Sequence, residues 1–246
     1  TCLATQSLFL SDADGDLTVD VQNLSCFEAM DGSIDLTVLG VNEPYTVMWT
    51  GPNGFSSPDE DLTNLEAGEY VLQITDALGC FLGEVVTVNS PEELTATAIA
   101  GNPLCNGDVN GTIQLNILGG TAPYSVSWTG PDGFTSSEIN ISDLAPGCYD
   151  YIITDDNTCE TTGQVCIEAP ELLELNALIT DVICFGESSG VIDALVSGGT
   201  PGFTLTWAGP DGFTSDQSFI DNLAAGQYDV SIVDVNACQL DTFIIV

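Results

Sequence analysis

The chain has 246 residues, 44% of them hydrophobic, and it carries 37 acidic side chains but no lysine, arginine or histidine. This balance excludes nucleic acid as a partner, because no cationic side chain can neutralise phosphates. It also excludes direct binding to an anionic membrane surface, and no apolar run approaches the roughly 20 residues that would cross a bilayer.

A repeat of 79 residues organises the sequence. Trp128 opens the stretch Trp-Thr-Gly-Pro-Asp-Gly-Phe, and close versions of this stretch begin at Trp49 and Trp207. Two cysteine series keep the same spacing: the first cysteines are Cys26, Cys105 and Cys184, and the second cysteines are Cys80, Cys159 and Cys238. An ungapped period of this length indicates one small domain copied in tandem.

In chain order, residues 1–14 are predicted to be the terminal strand and linker of a preceding copy, because Thr1 and Cys2 align with Gly79 and Cys80. We define copy 1 as residues 15–92, copy 2 as residues 93–171 and copy 3 as residues 172–246. Copy 3 is expected to stop inside its final strand. The chain is therefore interpreted as a fragment of a longer array or a processed subunit.

Each copy has the pattern of an all-β domain. Short alternating runs rich in Val, Ile, Thr and aromatic residues are separated by Gly, Pro, Asn and Asp, which is typical of strands joined by tight turns. In copy 2 the predicted strands are 94–100, 112–118, 124–129, 134–137, 139–144, 148–154 and 160–167. Seven such strands, without a long amphipathic helix, predict a two-sheet β-sandwich of the immunoglobulin-like class.

Several sequence elements of copy 2 point to a known family. They are Cys105-Asn106-Gly107, Gly111-Thr112-Ile113, Gly119-Gly120-Thr121-Ala122-Pro123-Tyr124, Trp128, Asp143-Leu144-Ala145-Pro146-Gly147, and Thr154-Asp155 before Cys159. Copy 3 repeats them in Cys184-Phe185-Gly186-Glu187, Gly190-Val191-Ile192, Gly198-Gly199-Thr200-Pro201 and Asn222-Leu223-Ala224-Ala225-Gly226-Gln227-Tyr228. In these elements the chain resembles the SprB-type repeat, and the middle of each copy is similar to a PKD domain, another seven-stranded sandwich. Copy 1 departs from the pattern, with Gly40-Val41-Asn42-Glu43 in place of Gly-Gly-Thr.

SprB-type repeats occur in very large surface adhesins of gliding bacteria and in related secreted proteins. The resemblance therefore implies a bacterial protein on or outside the cell, with an adhesive or spacing role and no catalytic motif. Paired cysteines on a strict repeat independently favour an oxidising, extracellular location. Because the chain has no histidine, lysine or arginine for acid–base or nucleophilic chemistry, we expect no enzyme and no organic cofactor.

Cys148 and Cys166 occur only in copy 2 and flank the turn at 155–159 symmetrically. A hairpin that joins the strands 148–154 and 160–167 would set the two cysteines opposite each other. Directly opposed strand residues approach closely enough for a disulfide, so we predict a cross-strand bridge between them.

The repeating cysteines allow two pairing schemes. Pairing within each copy would join Cys26 to Cys80, Cys105 to Cys159 and Cys184 to Cys238, leaving Cys2 for a partner outside the sequence or in a neighbouring chain. Pairing between adjacent copies would join Cys26 to Cys159 and Cys105 to Cys238. The second scheme follows if seven alternating strands place the first and second cysteines at opposite ends of each sandwich. A strand count wrong by one would favour the first scheme, and both stay open here.

The segment Asp12-Ala13-Asp14-Gly15-Asp16 resembles the start of a calcium-binding loop. Alternate carboxylates can converge on a hard cation, so Asp12, Asp14 and Asp16 are candidate calcium ligands at a copy junction. The segment departs from the EF-hand pattern, with Leu17 where the invariant glycine belongs. A solvated acidic linker is the alternative.

The three tryptophans are expected to fill the sandwich cores rather than to stack on sugars. The predicted function is a non-catalytic structural segment of a disulfide-stapled adhesin stalk or surface filament, whose partners are neighbouring repeats of the same or identical chains. The alternatives are a filament subunit that assembles by strand addition between chains, and a carbohydrate-binding module with surface glycans as partners.

Overall fold

The computed structural model describes residues 15–184 and 186–246. Copy 1 folds from seven β-strands with one 3-10 turn, Pro52–Gly54, between the third and fourth. The strands are β1 (Asp16–Gln22), β2 (Gly32–Leu39), β3 (Thr46–Thr50), β4 (Ser56–Ser57), β5 (Leu62–Leu65), β6 (Gly68–Thr75) and β7 (Phe81–Val88).

Copies 2 and 3 repeat this order, with 3-10 turns at Pro131–Gly133 and Pro210–Gly212. Copy 2 contains β8 (Thr95–Gly101), β9 (Gly111–Leu118), β10 (Ser125–Thr129), β11 (Thr135–Ser136), β12 (Ile141–Leu144), β13 (Gly147–Thr154) and β14 (Glu160–Ile167). Copy 3 contains β15 (Glu174–Thr180), β16 (Ser188–Ser197), β17 (Thr204–Ala208), β18 (Thr214–Ser215), β19 (Phe219–Ala224), β20 (Gln227–Val233) and β21 (Gln239–Ile245). All seven strands predicted for copy 2 are present, with ends within two residues of the predicted ends.

Each copy forms one three-stranded and one four-stranded sheet. The sheet orders are β1-β2-β5 and β4-β3-β6-β7 in copy 1, β8-β9-β12 and β11-β10-β13-β14 in copy 2, and β15-β16-β19 and β18-β17-β20-β21 in copy 3. Pairing is antiparallel: β1 lies against β2 with Asp16 opposite Leu39, and β6 lies against β7 with Gly68 opposite Val88. The chain is therefore an all-β tandem array of immunoglobulin-like sandwiches.

The sandwich cores follow from strand alternation. In β6 the side chains of Tyr70, Leu72 and Ile74 are buried, while the residues between them are exposed. Successive strand residues point to opposite faces, so this alternation lets one face of the sheet cover the core and the other face meet water. The three repeated tryptophans have no exposed surface, as the core prediction requires.

A buried tyrosine at the same strand position in every copy donates a hydrogen bond to the backbone four residues before it. In copy 2 the hydroxyl of Tyr149 donates to the carbonyl oxygen of Ala145 at 2.9 Å. The equivalent bonds run from Tyr70 to Glu66 and from Tyr228 to Ala224, at 3.0 Å each. This is the tyrosine corner of immunoglobulin-like sandwiches. Because burial disfavours the phenolate, the pKa of each of these three tyrosines is raised.

The repeated Gly-Pro-Asp-Gly-Phe stretch packs against that tyrosine. The ring of Phe134 meets the ring of Tyr149 edge-on, with centroids 5.3 Å apart. A Cβ atom on Gly130 would lie 2.5 Å from the Tyr149 ring, so only glycine permits this close approach. The same edge-on pairs form in copies 1 and 3. The repeated stretch therefore contributes a fully buried tryptophan and a half-buried phenylalanine to each sandwich, while its 3-10 turn stays at the surface.

The described residues form two compact units. Unit 1 comprises residues 15–97, 116–126 and 152–162, and unit 2 comprises residues 98–115, 127–151 and 163–246. Copy 1 lies in unit 1, copy 3 lies in unit 2, and copy 2 contributes residues to both. None of the helical turns in the described part of the chain is long and apolar enough to span a membrane.

Candidate functional site: the disulfide joints between copies

A buried aspartate positions the second cysteine of copy 2. Asp155 starts the turn between β13 and β14, and its side chain is only 5% exposed. Its Oδ1 accepts hydrogen bonds from the backbone N–H of Asn157 at 2.9 Å and of Cys159 at 2.8 Å, and its Oδ2 accepts from the N–H of Thr121 at 2.8 Å. One carboxylate therefore holds the cysteine backbone and ties the turn to a neighbouring loop.

The same arrangement recurs in copies 1 and 3. We call residues 76–80, 155–159 and 234–238 the second-cysteine loops. Asp234 Oδ1 accepts from the N–H of Cys238 at 2.9 Å, and Asp76 Oδ1 accepts from the N–H of Cys80 at 2.8 Å. The Asn42 amide and the Cys80 N–H lower the pKa of the Asp76 carboxyl, and the N–H groups of Thr200 and Cys238 lower the pKa of the Asp234 carboxyl.

The first cysteine of each copy opens a tight turn before the second strand. We call residues 23–31, 102–110 and 181–189 the first-cysteine loops, of which residue 185 is not described. In copy 1 the N–H of Ala29 donates to the carbonyl oxygen of Cys26 at 3.1 Å. The third residue of this turn has a positive φ in every copy: 56° at Glu28, 87° at Gly107 and 83° at Gly186. Such a turn favours glycine, which explains the Cys-x-Gly element of copies 2 and 3.

Two disulfides join these loops between adjacent copies, and we call each such pairing of loops a joint. Within unit 1, Cys26 of copy 1 is bonded to Cys159 of copy 2, with Cα atoms 5.7 Å apart. The amide of Asn157 donates to the carbonyl oxygen of Ser25 at 3.0 Å, and the Cys159 Sγ atom lies 3.3 Å from the same oxygen. The first joint therefore combines a covalent bond with a polar contact.

The second joint repeats the first in unit 2. Cys105 of copy 2 is bonded to Cys238 of copy 3, with Cα atoms 5.4 Å apart. The Cys238 Sγ atom lies 3.2 Å from the carbonyl oxygen of Leu104, the residue equivalent to Ser25. Both bridges span 133 residues of sequence, so the two closed loops overlap along the chain.

The structure thus adopts the pairing between adjacent copies and not the pairing within a copy. The first cysteine follows the first strand of its sandwich, and the second cysteine follows the sixth strand. The two cysteines of one copy therefore lie in different loops. Cys80 and Cys184, whose counterparts form the bridges, carry free thiols. Cys2 lies outside the described residues.

A third disulfide lies within copy 2. Cys148 on β13 is bonded to Cys166 on β14, with Cα atoms 4.0 Å apart. The equivalent positions are opposed strand pairs in the other copies, Glu69 with Thr87 and Gln227 with Ile245. The bridge therefore occupies a register position that every copy has and only copy 2 fills with cysteine.

The remaining candidate residues fall in different places. Asp12 and Asp14 lie outside the described residues, and Asp16 is the first residue of β1, paired opposite Leu39. Among residues 15–184 and 186–246, no three Asp, Glu, Cys or His side chains are grouped closely enough to hold a metal ion. The calcium site stays a prediction.

The aspartates that hold the second cysteines, Asp76, Asp155 and Asp234, are not among the site residues predicted from the sequence. A signal for them was present: each stands four residues before a second cysteine and recurs with the 79-residue period. A small polar residue at such a position favours a turn by accepting hydrogen bonds from backbone N–H groups that follow.

Solved structures with similar strand arrangements include several immunoglobulin-domain proteins. A complex of Dpr2 Ig1-Ig2 with DIP-Theta Ig1-Ig3 is 11% identical, covers 94% of this chain and 98% of that chain, and has a TM-score of 0.34. A complex of Dpr11 IG1 with DIP-gamma IG+IG2 is 13% identical, covers 63% of this chain and 98% of that chain, and has a TM-score of 0.32. At these scores the superpositions carry no argument about function, and the immunoglobulin-like arrangement rests on the strand order described above.

No curated protein matches the chain. The family model of the SprB repeat, by contrast, matches three times, at residues 18–54, 97–133 and 176–212. Each match runs from the first strand of a copy to its 3-10 turn and includes the first cysteine. Each of the three copies therefore contains one match to the SprB repeat, folds as an immunoglobulin-like sandwich and is joined to the adjacent copy by a disulfide.

Proposed function

We propose that this chain is a load-bearing, non-catalytic segment of an extracellular bacterial protein, acting as an adhesin stalk or a surface filament. The observation that carries the proposal is the pair of overlapping disulfides between adjacent SprB repeats. Structural disulfides persist in oxidising compartments, so these bridges support a location outside the cytosol.

The bridges change how the chain responds to a pulling force. Without disulfides, Cys26 and Cys238 are 212 residues apart along the chain, and this segment could extend to about 700 Å at roughly 3.4 Å per residue. With all three bridges intact, the shortest covalent route from Cys26 to Cys238 uses every bridge. It crosses to Cys159, follows 7 residues to Cys166, crosses to Cys148, follows 43 residues back to Cys105 and crosses to Cys238. That route extends to about 170 Å, so unfolding of the sandwiches releases little length.

The burial of the tryptophans supports a structural role over a carbohydrate-binding module. A sugar-stacking platform needs an exposed aromatic face, and the three repeated tryptophans have none. Their indole N–H groups also donate to backbone carbonyls, for example from Trp128 to Glu138 at 2.9 Å. Surface glycans stay a proposed partner, through aromatic side chains other than the three tryptophans.

Single-molecule stretching of the whole chain tests the proposal. We expect the unfolded oxidised chain to extend to about 170 Å between Cys26 and Cys238, and the variant C26S/C159S/C105S/C238S, which keeps the Cys148–Cys166 bridge, to extend to about 660 Å. The matched control, C148S/C166S, should lengthen the covalent route of the oxidised chain by only a few residues. Equal extension of the oxidised chain and the quadruple variant would show that the bridges carry no load.

A further inference from the structure

The two joints share a disulfide but differ in the contact beside it. In the first joint the Asn157 amide donates to the carbonyl oxygen of Ser25 across the joint at 3.0 Å, and to the hydroxyl of Thr121 in its own copy at 3.1 Å. In the second joint the equivalent amide, that of Asn236, donates to the hydroxyl of Thr200 in its own copy at 2.9 Å. Among the described residues, no hydrogen bond joins Asn236 to copy 2. The asparagine therefore connects two copies in the first joint and not in the second.

The donor side of this contact is fixed within copy 2. The N–H of Asn157 donates to Oδ1 of Asp155 at 2.9 Å. The N–H of Thr121, whose hydroxyl accepts from the Asn157 amide, donates to Oδ2 of the same carboxylate at 2.8 Å. The backbone and the side chain of Asn157 are thus both held by their own copy. A group that is already ordered loses little conformational entropy when it docks on a partner.

The acceptor side is fixed within copy 1. Oδ1 of Asp31 accepts from the N–H of Ser25 at 3.1 Å, and Oδ2 accepts from the Ser25 hydroxyl. The hydroxyl and the N–H lower the pKa of the Asp31 carboxyl, because they donate to its ionised form. The equivalent residues in copy 2 are Leu104 and Asn110, which supply neither a hydroxyl nor a carboxylate. Of the two joints, the first alone presents its carbonyl oxygen from a loop held by such a pair.

The remaining parts of the two joints match. The backbone N–H of Gly120 donates at 2.9 Å to the carbonyl oxygen of Glu92, just before copy 2, and Gly199 donates at 2.9 Å to Glu171, just before copy 3. In both joints the sulfur of the second cysteine also lies close to a backbone carbonyl oxygen of the facing loop, at 3.3 and 3.2 Å. The asparagine contact is therefore what distinguishes the first joint from the second.

We propose that Asn157 and Asp31 are positioning residues, which dock the first joint through a hydrogen bond before its disulfide forms. The thiols of Cys26 and Cys159 consequently have a higher effective concentration for each other than the two thiols of the second joint. The first bridge closes first, and its closure removes two of the repeating cysteines from wrong pairings. The inference goes beyond the proposed function, because bearing a load requires closed bridges but no order of closure.

Each bridge forms by exchange with a small-molecule disulfide such as oxidised glutathione. One protein thiolate attacks the small disulfide, which gives a mixed disulfide and releases one thiol. The second protein thiolate then attacks the protein sulfur of the mixed disulfide and releases the second thiol. Two protein thiols lose two electrons and two protons, and one small disulfide is reduced to two thiols. The equilibrium constant of this exchange is the effective concentration of the two protein thiols for each other.

The test measures every bridge of the whole chain in one sample. In a C2S/C80S/C184S background, the cysteines that remain are those of the three bridges. The chain is equilibrated in a series of glutathione redox buffers, and free thiols are trapped by alkylation. Peptide mapping then gives the fraction of each bridge at each buffer ratio, from which the three effective concentrations follow.

A net intramolecular hydrogen bond shifts an equilibrium by roughly two- to tenfold. We therefore expect the effective concentration of the Cys26–Cys159 pair to exceed that of Cys105–Cys238 at least twofold, and Asn157→Ala to lower it at least twofold. The matched control is Asn236→Ala, which loses the equivalent bond to a threonine hydroxyl of its own copy and should leave the Cys105–Cys238 equilibrium unchanged. Equal effective concentrations in the parent, or equal losses in the two variants, would overturn the proposal.

The third bridge separates docking from folding. Cys148–Cys166 lies within copy 2, so its equilibrium reports on the fold of that copy. Asn157→Ala should leave this equilibrium unchanged while it lowers that of Cys26–Cys159. Equal losses at both bridges would mean that Asn157 supports the sandwich of copy 2 and not the joint, which would also overturn the proposal.

Asp31 has its own test in the same assay. Asp31→Ala should lower the effective concentration of the Cys26–Cys159 pair at least twofold, whereas the control Asp35→Ala, at an exposed position of β2, should leave it unchanged. Because Asp31 and Asn157 both act on Ser25, the double variant should lose less than the product of the two single losses. Losses that multiply, or no loss with Asp31→Ala, would overturn the positioning role of Asp31. The load-bearing proposal is tested separately, since the stretching experiment uses chains whose bridges are already closed.

Discussion

The carboxylate of Asp155 accepts a hydrogen bond of 2.8 Å from the backbone N–H of Cys159, the residue bonded to Cys26 in the preceding copy. Placement of the bridge between copies thus depends on a side chain that takes no part in the bridge. Because the same carboxylate also accepts from Thr121, it links the joint to the loop after β9.

Replacing Asp155 with asparagine should weaken copy 2. The amide of Asn can accept with one atom only, so either the Thr121 N–H or the Cys159 N–H would face an NH2 group. Leaving such a group unsatisfied typically costs about 1–2 kcal/mol, which should lower the thermal midpoint and slow reformation of the Cys26–Cys159 bridge after reduction. The control is Asp156→Asn, the same charge change at an exposed neighbour. If both variants refold and re-oxidise alike, the carboxylate does not position the cysteine.

Acid should destabilise copies 1 and 3 through their second-cysteine loops. The pKa values of Asp76 and Asp234 are lowered in the folded state, because amide and backbone N–H groups donate to the ionised carboxylates. Their stabilising contribution is therefore present above the usual aspartate pKa of about 3.9 and is lost as the pH falls through the lowered values. Thermal midpoints measured from about pH 7 to about pH 2.5 should fall below about pH 4.

Asp234→Asn tests whether this aspartate contributes to the loss of stability below about pH 4. The variant should be less stable than the parent at neutral pH, and its stability should depend less on pH below about 4, because the titrating group is gone. Asp229→Asn, on the exposed face of β20, serves as the charge-matched control and should keep the parent profile. If the thermal midpoint of Asp234→Asn depends on pH as that of the parent does, other carboxylates cause the loss of stability in acid.

Glu28→Gly should stabilise copy 1. Glu28 has a φ of 56° at the third position of the first-cysteine turn, where copies 2 and 3 have glycine. A non-glycine residue in this conformation is strained, so the change should raise the free energy of unfolding by up to about 1 kcal/mol. Glu69→Gly, on the exposed face of β6, should change the free energy of unfolding with the opposite sign. Chemical denaturation of both variants against the parent distinguishes a turn effect from a general effect of glycine.

Removing the Cys148–Cys166 bridge should lower the free energy of unfolding of copy 2 more than Asp155→Asn does. The bridge closes a loop of 18 residues, for which the chain-entropy model gives about 3 kcal/mol. C148S/C166S should therefore unfold at a markedly lower denaturant concentration. Conversely, E69C/T87C installs cysteines at the equivalent opposed pair of copy 1, and the mass of the oxidised variant should show a new bridge. Failure of that bridge to form would mean that register alone does not permit it.

The strands and cores could be predicted from sequence because their signals are local. Alternation in β13 and the glycine and proline of the Trp-Thr-Gly-Pro-Asp-Gly-Phe stretch act within a few residues, and three copies supplied three independent views of each. The core position of Trp128 followed from the same pattern.

The pairing of the repeating cysteines could not be decided in the same way. Every first cysteine lies 54 residues before the second cysteine of its own copy and 133 before that of the next, so spacing fits both schemes. Which scheme forms depends on which loops of neighbouring sandwiches meet. That contact joins residues far apart in sequence, so no local sequence pattern predicts it.

The overlap of the two inter-repeat bridges has a consequence for survival in an environment rich in proteases. A cut between Cys26 and Cys105 leaves the two pieces joined through Cys26–Cys159, and a cut between Cys159 and Cys238 leaves them joined through Cys105–Cys238. A cut in the stretch between Cys105 and Cys159 is spanned by both. One severed peptide bond anywhere from Cys26 to Cys238 therefore damages the polypeptide without parting it, and a second cut is needed before any piece is shed.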